Sequence, residues 1–551
     1  MNPVILAFPV LFPLAVGVFM LMFPVENRGR RMALVESAVM VNSAVIFLLL
    51  FAGHQGEEGF TLYRLTGNLR VFFRLDGLGS VFAGLIAFLW PLATLYAFDY
   101  MRHEERENTF FAYYTMTYGV TAGIAFSGNM VTLYLFYELL TLVTFPLVLH
   151  TRTPEAVRAA RKYLYYSIGG AAFAFIGLVF VMIYGYTSEF VWGGVLDPGK
   201  MGGERGVLLF MYVLAYFGFG VKAALFPCHG WLPSASVAPT PVTALLHAVA
   251  VVKSGAFAIL RLTYYSYGAV FLRGTWAQSL VMAAAMATIV YGSTMAVKEI
   301  HFKRRLAYST ISNLSYILLG ASMMSPLGLM AALSHLVFHA FMKICGFFCA
   351  GAVLTQTGRQ YVYELDGLGR RMPVTFACFT AASLSLMGIP LFAGFISKWS
   401  IAQAAFDAGR PLAVGAVAVL LYSALMTGIY MLTVAVRAWF PVRAAAGGRP
   451  AETLGDFGGC PAAVVMEDCS GHPAAVVTED CGVRSAAVVM EDVSGHSASA
   501  TLGNLDGVRE AGWMMLMPIL VFAAVIVGFG LYPAPALELF QTIAGVYDGG
   551  I

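Results

Sequence analysis

Apolar runs of about twenty residues follow one another along the whole chain, separated by short polar stretches. Each run is long enough to cross a hydrocarbon core of about 30 Å as a helix. The pattern predicts about fourteen spans, near 3–24, 33–53, 77–100, 109–126, 130–150, 163–184, 206–226, 243–265, 276–297, 305–324, 328–355, 373–407, 411–440 and 511–532. Basic residues gather in the loops that follow odd-numbered spans: Arg28, Arg30 and Arg31; Arg152, Arg158, Arg161 and Lys162; Lys298, Lys303, Arg304 and Arg305; Arg370 and Arg371. Loops after even-numbered spans are mostly short or near neutral, except 54–76, where Arg64, Arg70 and Arg74 are partly offset by acids. By the positive-inside rule the basic loops are cytoplasmic and both termini lie outside.

Two spans break the apolar pattern in a similar way. The seventh reads Lys222 and then FPCHGWLP; the twelfth reads GIPLFAGF and then Lys398. Prolines at bilayer depth free backbone groups that only protein or water can satisfy, so a helix broken there is expected to line a polar path. Five spans separate the two breaks, which gives them opposite orientations, as in inverted repeats with an ion site near the midplane. The predicted organisation is therefore 1–108, carrying spans one to three; a first repeat over 109–265; a second over 276–440; a polar loop over 441–510; and a last span with its tail over 511–551. The loop holds three near-copies of a 12-residue unit, PAAVVMEDCSGH, PAAVVTEDCGVR and SAAVVMEDVSGH, within 461–496. The second copy replaces His with Arg and the third replaces Cys with Val, so no ligand set repeats. A tolerated insert in a cytoplasmic loop is the expectation.

Composition narrows the class. Of 551 residues, 59% are hydrophobic and 11% charged, with a mean hydropathy of +0.76, whereas soluble domains carry about 25% charged residues. The fold class is an all-α polytopic membrane protein embedded in a lipid bilayer. A net charge of +3, placed in short loops, gives no nucleic-acid footprint. The first apolar run lacks a basic leader and a small-residue cleavage site, and reads as a retained helix. The seven cysteines, Cys228, Cys345, Cys349, Cys378, Cys460, Cys469 and Cys481, form no CxxC and no ferredoxin-like run, so no iron–sulfur, zinc or other cofactor is expected in this chain.

The candidate chemistry lies in charges at bilayer depth, each costing kcal/mol to insert. Glu138 is the sole charge in VTLYLFYELLTLVTFPLVL, and Lys222 is its expected partner on a neighbouring helix. The alternatives are a static clip between helices and a switch whose separation sets whether Lys222 holds or releases its proton. Lysine suits release better than arginine, whose pKa is too high. Lys253 and Lys398 belong to the same set, with snorkelling to a span end as the competing reading. In LSHLVFHAFMK, His335, His339 and Lys343 recur at four-residue intervals on one helix face. Two such histidines can bind zinc, but the acidic residue of an HExxH motif is missing, so a proton relay is favoured over a metal site. His247 lies six residues before Lys253, not quite on its face. Pro227 and Pro390 sit in the breaks and suit a gate or a channel mouth; His229, in the first break, suits a gate, a structural role or a channel mouth.

The stretch KAALFPCHGWLPSASVAPTPVTALLH followed by VKSG, then FKRRLAYSTISNLSYILLG, HLVFHAFMK and GIPLFAGFISKW, resembles the antiporter-like subunits of respiratory complex I. The same family includes Mrp cation/proton antiporter subunits and the membrane arms of energy-converting hydrogenases. The resemblance runs from about Leu75 to Phe440. It implies fourteen core helices, two inverted five-helix repeats, broken helices seven and twelve, and a central polar axis. It also implies proton-translocation roles for Glu138, Lys222, Lys253 or His247, His335, His339 and Lys398. The twelfth-helix position is glutamate in some members and lysine here. The chain ends soon after its last span, without a long lateral helix or extra C-terminal spans, so it looks most like an Mrp D-type subunit or the middle complex I and hydrogenase subunits. The implied function is a proton-translocating, non-redox subunit of a multisubunit complex in a prokaryotic inner membrane. Two drives stay open: redox partners carrying iron–sulfur, flavin or nickel groups, and an exchanged monovalent cation.

Overall fold

A computed structural model describes residues 3–52, 59–66, 69–441 and 507–546, except the His103 side chain. Its long helices are α1 (Phe8–Met22), α2 (Arg28–Phe51), α3 (Gly77–Tyr100), α4 (Glu107–Ala125), α5 (Met130–Val148), α6 (Pro154–Tyr184) and α7 (Arg205–Lys222). After a broken stretch come α8 (Thr240–Tyr267), α9 (Trp276–Lys298), α10 (Phe302–Ser322) and α11 (Pro326–Thr357). The chain closes with α12 (Pro373–Met387), α13 (Ala393–Asp407), α14 (Pro411–Trp439), α15 (Trp513–Leu531) and α16 (Ala534–Ala544). Short polar caps set several of the starts. The side chains of Asn27, Asp76, Asn129, Thr153 and Ser325 each accept a backbone N–H from the first turn of the helix that follows, at 2.7–3.2 Å.

Among the described residues, eleven helices are long and apolar enough to cross a membrane: Pro3–Met22, α2, α3, α5 to α9, α11, α14 and α15. The chain is a multi-pass helical membrane protein. Helices α4 and α10 are more polar, and α12 and α13 have only 15 residues each. Helix α8 is wholly enclosed, as is the central part of α11, which packs against α10, α12, α13, α15 and α16. By contrast α14 and α15 leave most of their surface open, as an apolar surface facing lipid tails would. Lys253 of α8 and Lys343 of α11 are therefore enclosed by the protein and shielded from lipid.

The helices extend beyond their apolar runs, which corrects several expected boundaries. Arg158, Arg161 and Lys162 lie on α6, because Thr153 and Pro154 start the helix well before position 163. Lys298 ends α9, and Lys303 to Arg305 form the first turn of α10. The stretch 54–76 also contains structure that hydropathy did not indicate. Strands β1 (Phe60–Thr66) and β2 (Leu69–Phe73) pair antiparallel there. The expected twelfth span is two helices, α12 and α13, parted at 388–392, where Gly388 and Leu391 take positive φ values of 92° and 76°. Only glycine adopts the first without strain.

The described residues up to Pro441 and from Val508 onward belong to one helical unit. The repeats of 461–496, with Cys460, Cys469 and Cys481, lie outside the described residues.

Candidate functional site: a buried line of lysines and histidines

Helix α8 is not uniform. It opens as an α-helix over Thr240–Ala244, widens to a π-turn over Leu245–Val249, returns to α over Val251–Leu260, and ends in a second π-segment, Arg261–Tyr267. Such insertions rotate the helix faces on either side and recur at functional sites. The first carries His247. Beyond it Lys253 faces α11, where its Nζ lies 2.7 Å from His339 Nδ1, with both residues fully buried. If the lysine donates, Nδ1 accepts and His339 carries its proton on Nε2, an atom with no protein partner. One turn away, His335 stacks on His339 at 5.5 Å and its Nδ1 lies 2.9 Å from Ser397 Oγ on α13.

Lys398 follows in sequence, and the helix break determines its setting. Its Nζ donates to the Leu386 and Met387 carbonyls at 2.6 and 3.2 Å, oxygens left free where α12 stops. A helix C-terminus carries partial negative charge, so the break itself supplies a counter-charge for the ammonium. The Tyr316 ring joins the two groups: it meets His335 edge-on at 5.2 Å and lies 5.1 Å from Lys398 Nζ. Lys343, one turn beyond His339, donates to Ser309 Oγ at 2.6 Å and the Leu306 carbonyl at 3.1 Å. Ser309 also accepts from Tyr430, at 2.8 Å.

At the other end of the line, Lys222 closes α7 fully buried. Its Nζ sits 3.5 Å from the Tyr137 ring centroid, donates to the Tyr137 carbonyl, and lies 4.0 Å from Glu138 Oε1. The expected pair therefore exists at the long limit of an ion pair, with Glu138 partly exposed and its Oε1 making no hydrogen bond. Gly255 brings α8 onto the end of α7: a Cβ there would stand 2.9 Å from the Lys222 carbonyl carbon. Lys222 and Lys253 are thus on packed helices without touching. His247 is fully buried against Phe347, ring centroids 4.9 Å apart, and neither ring nitrogen has a protein partner.

The structure separates the gate candidates from this line. His229 lies between the rings of Phe226 and Tyr291, at 5.6 and 4.4 Å, and among the described residues no hydrogen bond or ring contact joins it to the lysines and histidines above. Pro227 follows Phe226 in the same loop, and Pro390 is exposed in the α12–α13 break. Sequence reasoning missed Tyr316, Ser397, Ser309 and Tyr430. The polar run STISNLSY on α10 was the available signal for the first and third, since it puts Ser309, Ser312, Asn313, Ser315 and Tyr316 in an interior helix. Among the described residues, no group of three or more His, Cys, Asp or Glu side chains is placed to hold a metal ion.

Unpartnered polar atoms cluster along the same path: Ser254 Oγ, Asn313 Oδ1, Ser315 Oγ, Tyr316 OH and the Nε2 atoms of both histidines. Buried polar atoms are costly without partners, and water is the usual partner at polar interior sites. Alternating amine, imidazole and hydroxyl groups of this kind can hand a proton along in steps.

The family described as "NADH:quinone oxidoreductase/Mrp antiporter, TM" matches residues 127–425. The chain is 33% identical over 368 residues to the N subunit of the NADH-quinone oxidoreductase of Desulforudis audaxviator, covering 66% of this chain and 72% of that one. It is 32% identical over 398 residues to the A/B subunit of a probable K(+)/H(+) antiporter of Rhizobium meliloti, covering 71% of this chain and 38% of the relative. It is also 33% identical over 347 residues to the A-type subunit of a Na(+)/H(+) antiporter of Alkalihalophilus pseudofirmus, covering 60% and 42%. The chain thus spans about two fifths of the length of the antiporter relatives. In fold it is similar to a chain of the Mrp complex from Dietzia sp., with a TM-score of 0.77 and 23% identity over 100% of this chain and 98% of that one. It is also similar to a chain of an archaeal membrane-bound sulfane sulfur reductase, with a TM-score of 0.74 and 20% identity over 98% and 97%. The chain belongs to the NADH:quinone oxidoreductase/Mrp antiporter family.

Proposed function

We propose that this family member is a proton-translocating subunit of a multisubunit membrane complex and carries protons laterally through Lys222, Lys253, His339, His335 and Lys398. The observation that supports this most is the Lys253–His339 contact between the enclosed cores of α8 and α11, continued by stacked His335 toward Lys398. Insertion scales put a lysine at the bilayer centre at about 2.5–3.5 kcal/mol, so a row of them held only as packing is disfavoured. Counting α4, α10 and the broken α12–α13 pair with the eleven long helices gives fourteen membrane elements, in line with two five-helix sets inverted about the bilayer midplane. In the proposed topology the loops after odd-numbered elements are cytoplasmic and both termini lie outside, a reading the positive-inside rule supports, and the membrane is a prokaryotic inner membrane.

The chain is proposed to hold no cofactor, its drive coming from partners. A redox drive is supported by likeness to the N subunit of an oxidoreductase, and exchange of sodium or potassium by likeness to antiporter subunits. What co-purifies separates them: iron–sulfur, flavin or nickel subunits favour the first, and sodium- or potassium-dependent proton flux without them favours the second.

Glu138 tests the switch. The 4.0 Å gap to Lys222 lets small helix movements set how strongly the carboxylate holds the ammonium proton. In reconstituted complex, Glu138→Gln is expected to lower proton flux several-fold and Glu138→Asp less, because only aspartate keeps the charge. Equal flux in both variants and the wild type would reduce the pair to a structural clip.

A further inference from the structure

Away from the line, a polar cavity of about 240 Å³ opens among the loops assigned to the cytoplasm. That volume has room for roughly eight waters at about 30 Å³ each. Its walls come from five separate connections, and their side chains grade from exposed to buried. Glu155 and Thr151 are exposed at the rim, Glu104 and His301 are half-buried, and Ser236 and Lys303 are buried. Ser236 is 2% exposed and its hydroxyl has no protein partner. Lys303 is 8% exposed and donates to the Ala238 carbonyl at 3.1 Å, and among the described residues no carboxylate lies within ion-pair distance of it.

From the cavity, the chain itself leads inward. Helix α8 starts at Thr240, directly after the lining residues Ala238 and Pro239, and His247 follows about 10 Å deeper at ~1.5 Å per residue. On the facing helix, Lys343 of the buried line donates to the carbonyl of Leu306, one turn beyond Lys303. Lys303 therefore stands between the polar cavity and the first members of the line.

We propose that this cavity is the cytoplasmic inlet of the proton path, with the Lys303 ammonium at its floor rejecting alkali cations while protons pass beside it. The inference rests on the proton-translocation reading above. Acidic rim residues raise the local concentration of cations, protons included. A fixed ammonium at a narrow floor then repels sodium or potassium, as basic residues do in other selective pores. A proton is exempt because it moves by exchange through water and titratable groups, without a bare ion passing the charge. Any alkali cation moved by the complex would then use another route.

The test uses the whole complex in proteoliposomes with the cytoplasmic face outward. In Ser236→Cys, a membrane-impermeant cationic methanethiosulfonate added outside is expected to lower proton uptake at least fivefold, with unsubstituted complex as the labelling control. Labelling without loss of uptake, or no labelling from that face, overturns the inlet. For selectivity, sodium or potassium replaces choline at constant ionic strength. Uptake in Lys303→Gln is expected to fall several-fold more on this exchange than in wild type or in Lys303→Arg, which keeps the charge. An equal response in all three overturns the role of Lys303. Lys253→Ala keeps the two failures apart. If it stops uptake while labelled Ser236→Cys works normally, the inlet is wrong and the translocation reading stands; normal uptake in both removes the reading itself.

Discussion

Lys253→Ala is expected to cut proton translocation by the assembled complex about 100-fold, within the ~10²–10⁴ range for removing a positioned proton donor or acceptor. The ammonium is fully buried, and its polar contact among the described residues is His339 Nδ1 at 2.7 Å. Alanine removes the amine between the two halves of the line and leaves the His339 imidazole without its hydrogen-bond partner. Lys253→Arg is the more discriminating variant. It keeps a cation in place, yet a guanidinium does not release its proton at physiological pH. Both variants should assemble and both should fail to pump, as judged by pH-dye quenching in proteoliposomes. Wild-type flux in Lys253→Arg would show that the site needs only positive charge, and the relay would be wrong.

The second large effect concerns stability. Arg261, in the final π-segment of α8, is completely buried and makes a two-point ion pair with Asp76, one contact being Nη2 to Oδ1 at 2.7 Å. Its guanidinium also lies over the rings of Phe190, Tyr265 and Phe257 at 4.7–5.1 Å. Asp76 caps α3 in addition, accepting the Gly79 N–H at 2.9 Å. Removing one member of a buried pair typically costs about 3–5 kcal/mol because the other charge is stranded, and a lost cap adds about 1 kcal/mol. Asp76→Ala should therefore lower the thermal unfolding midpoint of the purified complex and its yield in the membrane. Asp76→Asn, which can keep the cap, should lose less, and Asp76→Ala with Arg261→Met should recover part of the loss. An unchanged midpoint in Asp76→Ala would mean that the aromatic rings and the membrane environment hold Arg261 unaided.

These two pairs differ in how visible they are in the sequence. Lys253 was legible as a candidate because a lysine within an apolar run violates the pattern around it. Asp76 and Arg261 sit at the edges of their spans, where charges are common, and 185 positions separate them. Tyr316 was hidden differently: a tyrosine in a membrane helix is unremarkable until its ring is found between His335 and Lys398. The hairpin at 60–73 alternates apolar and polar residues around Gly67-Asn68, a strand signal that a search for apolar runs overlooks. For His229 the prolines around it suggested a gate, a structural role or a channel mouth, and only the structure shows that its ring contacts are Phe226 and Tyr291.

The sequence by itself determined that the chain crosses a membrane many times, where its helices break, and which charges are stranded at depth. These follow from transfer free energy, which is summed residue by residue along one dimension. Only the tertiary structure decided who meets whom: Lys253 with His339, Lys398 with the open end of α12, Lys222 at 4.0 Å from Glu138, and Arg261 with Asp76. Those partners depend on helix rotation and close approach, which the π-turns of α8 and small residues such as Gly255 adjust, and hydropathy does not record either.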